Sequence, residues 1–71
     1  MKIRYELLFK SGAKEKVVQE ATDEEHGGIM QIVSDSFQND LNAVITFGDG
    51  KKAGRQVRVS DLSQVHTEIL D

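Results

Sequence analysis

The chain contains no cysteine, no proline and no tryptophan, and its aromatic residues are one tyrosine and three phenylalanines. Zero cysteine removes a disulfide framework and, with it, the strongest zinc ligand. No apolar run approaches the roughly 18 residues that a membrane-spanning helix needs. Basic residues are outnumbered, 9 against 12 acids, and the formal net charge of -3 argues against a surface that clings to nucleic acid as a whole. The opening Met1-Lys2-Ile3-Arg4-Tyr5-Glu6 sets charges inside its apolar pattern, unlike the uninterrupted apolar core of a secretory leader. A cytoplasmic protein is the expectation.

What is present is an ordinary mix, 38% hydrophobic and 30% charged, over 71 residues. That length corresponds to one domain, residues 1–71. Ordering so short a chain costs on the order of 100 kcal/mol at about 1.5 kcal/mol per residue, and a small domain buries proportionately little surface to offset it. Disulfides and cysteine-bound metals being excluded, association is the remaining route to extra stability.

Ile3, Tyr5, Leu7 and Phe9 alternate with Lys2, Arg4, Glu6 and Lys10, which is the period of a half-buried strand. Ser11-Gly12-Ala13 offers a tight turn, and Lys14 to Ala21 returns as the second strand of a hairpin. A three-residue loop sets Val17 opposite Leu7 on the inner face and also buries Ala21. A two-residue loop inverts the second strand. The first is the favoured arrangement.

Ile29, Met30, Val33, Phe37 and Leu41 recur at steps of three and four, one apolar stripe of a helix running from Ile29 to Leu41. Just before it, Thr22-Asp23-Glu24-Glu25 matches a capping box, and its acids suit the positive end of a helix dipole. Gly27-Gly28 is discordant, because each glycine inside a helix costs about 1 kcal/mol relative to alanine. The favoured reading is a late or kinked start after the glycines, the alternative being a close approach by another backbone. A phosphate cradle at the same place is opposed by Glu24 and Glu25.

Ala43-Val44-Ile45-Thr46-Phe47 is a β-branched run, and Arg55-Gln56-Val57-Arg58-Val59 alternates again with its valines inward. The residues between, 48–54, form a glycine-rich connector, so these runs make a second hairpin. The last apolar segment fits two patterns. Leu62, Val65, Ile69 and Leu70 suit a helix capped by Ser60, whereas Val65, Thr67 and Ile69 suit a strand, and the β-branched residues favour the strand. The expected fold is therefore α+β, in the order β-β-α-β-β-β, with a mainly antiparallel sheet covered on one face by the helix. Its inner residues are Ile3, Tyr5, Leu7, Phe9, Val17, Ile29, Met30, Val33, Phe37, Ile45, Phe47, Val57 and Val59.

Residues 57–69, Val-Arg-Val-Ser-Asp-Leu-Ser-Gln-Val-His-Thr-Glu-Ile, resemble the closing strand, turn and strand of small uncharacterised proteins of Gram-positive bacteria and their phages. The resemblance covers about the last third of the chain and implies no activity.

Chemistry is thinly represented. Ser60, Asp61, Ser63 and His66 supply the residue types of a hydrolytic triad without any nucleophile elbow around them. His26 lies among Asp23, Glu24 and Glu25 but has no second histidine at helical spacing, so a metal site is not expected. Asp49-Gly50 lacks the repeating carboxylates of a calcium loop, and Gly48 to Lys51 lacks the spacing of a nucleotide loop. Neither an enzymatic activity nor a cofactor is expected. The leading expectation is a protein-interaction module, a homodimer among the options, because Leu8, Val44 and Leu70 point away from the inner faces and would join into a patch if their strands were neighbours. The alternative is phosphate-backbone binding by the hairpin 48–58, where Lys51, Lys52, Arg55 and Arg58 gather four of the nine basic residues.

Overall fold

A computed structural model describes residues 1–48 and 54–70 of the chain. The order is β1 (Lys2–Phe9), β2 (Lys14–Glu20), α1 (Asp23–Asn39), β3 (Val44–Gly48), β4 (Gly54–Arg58), a 3-10 turn at Val59–Asp61, and β5 (Leu62–Ile69). The α+β order read from the sequence is the order found, and the final apolar segment is a strand. The antiparallel sheet, however, is divided in two. β1 is central in a three-stranded sheet of order β2-β1-β5, and β3 pairs only with β4.

The alternation in β1 puts Ile3, Tyr5 and Leu7 at 1% exposure or less. These residues floor the core. Three elements close over them. The helix brings Val33 with Ile29 and Met30 beside it, the second sheet brings Ile45, Phe47 and Val57, and the 3-10 turn brings Val59, with Leu62 directly after it. The Phe47 ring packs tilted on Tyr5 with centroids 5.2 Å apart. β3 and β4 thus bury one face each, while Val44, Thr46, Gln56 and Arg58 are left outside.

The first hairpin has a three-residue loop, Lys10 to Gly12, closed by Gly12 N–H to the Phe9 carbonyl at 2.9 Å and Phe9 N–H to the Ala13 carbonyl at 2.9 Å. Gly12 sits at φ +96°, where glycine alone is unstrained. The loop length matches the sequence reading, but the register lies two residues away from it. Val17 is opposite Tyr5, and Leu7 faces Glu15. A two-residue shift keeps every side chain on its expected face, so Val17 still points inward and Ala21 is still buried.

The helix differs from its sequence reading at both ends. It begins at Asp23 and runs through both glycines, because the capping box forms in full: Thr22 N–H donates to Glu25 Oε1 at 3.0 Å and Glu25 N–H to Thr22 Oγ1 at 3.1 Å. It ends when Asp40 turns left-handed at φ 54°, with the Asp40 and Leu41 amides both bonded to the Ser36 carbonyl. The earlier start also changes which stripe is inward. His26, Ile29, Met30, Val33 and Ser36 face the core, whereas Phe37 is 44% exposed and Leu41, beyond the helix, 50% exposed. The sequence stripe erred at Phe37, which lies about 100° around the axis from Ser36.

Candidate interaction surfaces

Two sheets have four edges, and they are not equally protected. β2 carries Lys14 and Lys16, and β4 carries Arg55 and Arg58. Charges of this kind keep an edge from pairing with another chain. β5 is eight residues long with no lysine, arginine or proline, and β3 has no charged residue at all.

Which backbone groups each edge presents follows from the ladder bonds. Leu70 N–H donates to the Lys2 carbonyl at 2.9 Å, so the even-numbered residues of β5 from Gln64 to Leu70 turn their N–H and C=O groups toward β1. Those of Val65, Thr67 and Ile69 point out of the sheet. The same residues put their side chains on the inner face, where Val65 and Thr67 are half-buried and Ile69 is 54% exposed. At the start of the strand the pairing slips by one residue between Leu8 and Phe9, leaving Ser63 as the extra residue, with its hydroxyl donating to the Leu8 carbonyl at 3.3 Å.

β3 offers a different edge. Its Gly48 N–H points away from β4 and donates to Gln19 Oε1 of β2 at 2.9 Å. By the two-residue period, the backbone groups of Thr46 and Val44 point the same way. Beyond the Gln19 bridge the two strand edges part into a groove of about 670 Å³, lined by Gln19 and Glu20, by Val44 to Thr46, and by Gly28, Ile29 and Ile32 of the helix.

The outer face of the three-stranded sheet is mainly charged, with Val18, 52% exposed, opposite Arg4. Arg4 pairs with Glu68 across the ladder and lies 3.6 Å from Glu6, which Lys16 approaches at 3.9 Å. Leu8 sits in this face, half-buried between Lys14 and Gln64 on the neighbouring strands. Leu70 lies at the other end of the same face, beside Lys2 and about 20 Å from Leu8 at about 3.3 Å per residue. Val44, 51% exposed, belongs to the other sheet and lines the groove, which neither leucine does. The three apolar residues expected to join are thus held apart. The sequence reading overlooked the edge of β5, although the contrast between its lysine-free stretch and the lysines of β2 was visible there.

The basic residues are also separated in their surroundings. Arg55 is ion-paired with Glu15 of β2, whereas Arg58 is exposed opposite Val44. Lys51 and Lys52 lie outside the described residues. Ser60 contacts Asn42 across 3.4 Å, while His66 lies on β5 opposite Glu6, so the serine, acid and histidine of the 60–66 segment form no hydrogen-bonded chain among the described residues. His26 is engaged with Tyr5, whose hydroxyl lies 2.8 Å from Nδ1. Among the described residues no group of three or more histidines, cysteines or acids could hold a metal ion, and no helix is long and apolar enough to cross a membrane.

Comparison with protein-family models, with curated proteins and with solved structures finds no match to the chain.

Proposed function

We propose that this protein is a non-enzymatic interaction module that associates with a second copy of itself through β5. The observation that carries the reading is the unguarded edge of that strand, with the outward backbone groups of Val65, Thr67 and Ile69 and the exposed side chain of Ile69. An antiparallel pairing centred on Thr67 is self-complementary. It sets Val65 against Ile69 of the second copy, threonine against threonine, and His66 against Glu68, all pairings that sheets favour. The two three-stranded sheets then become one of six strands.

Each copy contributes three outward donors and three acceptors, so six ladder bonds form, and Val65 meets Ile69 of the other copy at both ends of the pairing, which adds apolar burial to offset the cost of association. A weak dimer populated at high micromolar concentration is the expected outcome. Sedimentation velocity across that range should show a concentration-dependent dimer, and amide exchange at Val65, Thr67 and Ile69 should slow as it forms. Ile69→Lys should give a monomer without unfolding, since a lysine there guards the edge. A wild-type chain that stays monomeric near millimolar concentration sinks this reading. The nucleic-acid alternative turns on Lys51 and Lys52, and titration of labelled duplex at low and higher salt tests it separately.

A further inference from the structure

We infer that the groove between α1, β2 and β3 is a second, separate site, which takes an extended basic segment of another protein as a strand added to β3. Three features of the groove converge on that ligand. The first is its backbone. Thr46 and Val44 turn N–H and C=O groups into it, and an extended chain satisfies such a row as a ladder, whereas a helix, whose backbone groups are already paired, does not.

The second is its floor. Ile29, Ile32, Val44 and Ile45 line it, and Ile32 and Val44 remain 40% and 51% exposed, so alternate side chains of an inserted strand would meet apolar surface. Gly28 forms part of the same wall. A Cβ built there meets nothing within 4 Å among the described residues, so none of their contacts requires glycine, although the helix is weaker for it. The absent side chain leaves width in the groove.

The third is charge. Among the described residues Glu20 and Glu25 stand on the lining and no lysine or arginine does, and Glu20 already faces one cationic group, the Met1 ammonium at 3.5 Å. This arrangement favours a cationic ligand. The unguarded strand of a second copy, β5, carries no lysine or arginine and is disfavoured as the occupant. At about 670 Å³ the groove is of the size that holds small ligands, which suits a few residues of strand.

The test is an amide-spectrum titration of the full chain with a short capped peptide alternating valine or isoleucine with lysine and threonine. Shifts are expected at Gln19, Val44 and Thr46. A peptide with glutamate for lysine should bind on the order of tenfold more weakly, as should the first peptide to Glu20→Lys. Gly28→Leu should abolish binding by filling the groove, and Thr46→Pro, which removes an outward N–H without touching the β4 ladder, should do the same if the leucine variant does not fold. Ile69→Lys should bind unchanged, which separates this site from the β5 edge. The proposal is overturned by absence of groove shifts at millimolar peptide, by equal binding of the acidic peptide, or by groove amides that shift with protein concentration alone, the sign of a second copy in the groove.

Discussion

The Tyr5 hydroxyl lies 2.8 Å from Nδ1 of His26, so the middle of the central strand is hydrogen-bonded to the first turns of the helix across the core. Tyr5 is fully buried, and a buried phenol without a partner is costly, so this bond fixes where the start of the helix can sit. Burial, and secondarily the charge of Glu25, raise the Tyr5 pKa above its ordinary value.

Tyr5→Phe keeps the ring and its contact with Phe47 while removing the bond. It should cost about 1 kcal/mol, which for a domain of this size lowers Tm by roughly 4–8 °C. Because the folded pKa is raised, the stability linked to the neutral phenol is fully present below the ordinary value of about 10 and is lost as pH rises through the raised one. Denaturant titrations between neutral and strongly alkaline pH should therefore show a shallower alkaline decline in the variant. An unchanged decline would mean that Tyr5 stays neutral in both states over that range.

At the helix start the sign is reversed. The bond from the Thr22 backbone, then that from its side chain, lowers the Glu25 pKa. The capping box is thus fully stabilising above the ordinary glutamate value, about 4.3, and weakens as pH falls through the lowered one. Glu25→Gln can still close the box and should flatten the acid limb of stability, while Thr22→Ala should cost about 1 kcal/mol at neutral pH. Thermal melts from mildly to strongly acid pH check both.

Ser36 is the one buried polar residue of the helix, 4% exposed, and its hydroxyl has no hydrogen-bond partner among the described residues. An unsatisfied buried hydroxyl costs about 1–3 kcal/mol, and alanine is also the better helix former. Ser36→Ala should accordingly raise stability, by about 1 kcal/mol. A loss of stability in chemical denaturation would show that the hydroxyl does have a partner.

The strand faces were legible in the sequence because their period is two. Ile3, Tyr5 and Leu7 of β1, Ile45 and Phe47 of β3, and Val57 of β4 are all buried as their alternation requires. Register was not legible. Val17 and Val18 are the only large apolar residues of β2, so nothing in its pattern separates a partner at Leu7 from one at Tyr5, two residues away on the same face. The inward line of the helix was hidden because two of its members, His26 and Ser36, are polar. The candidate site was the least legible, since the pattern of each strand shows that Leu8, Val44 and Leu70 point outward, but whether outward residues meet depends on strand order and ladder parity.

Gly27 and Gly28 give the last test. Local propensity opposes a helix there by about 1 kcal/mol per glycine, yet the capping box upstream and the burial of His26, Ile29 and Met30 carry the helix through. Both glycines are exposed, and among the described residues an added Cβ meets nothing within 4 Å at either. Neither is required by the fold. Gly27→Ala and Gly28→Ala should therefore each stabilise by about 0.5–1 kcal/mol, partly by restricting the unfolded chain, with a Tm increase of several degrees. The two should be alike in melting and nearly additive in the double variant, because neither methyl touches a shared partner. If Gly28→Ala instead destabilises while Gly27→Ala does not, the wall of the groove is packed more closely than this structure has it.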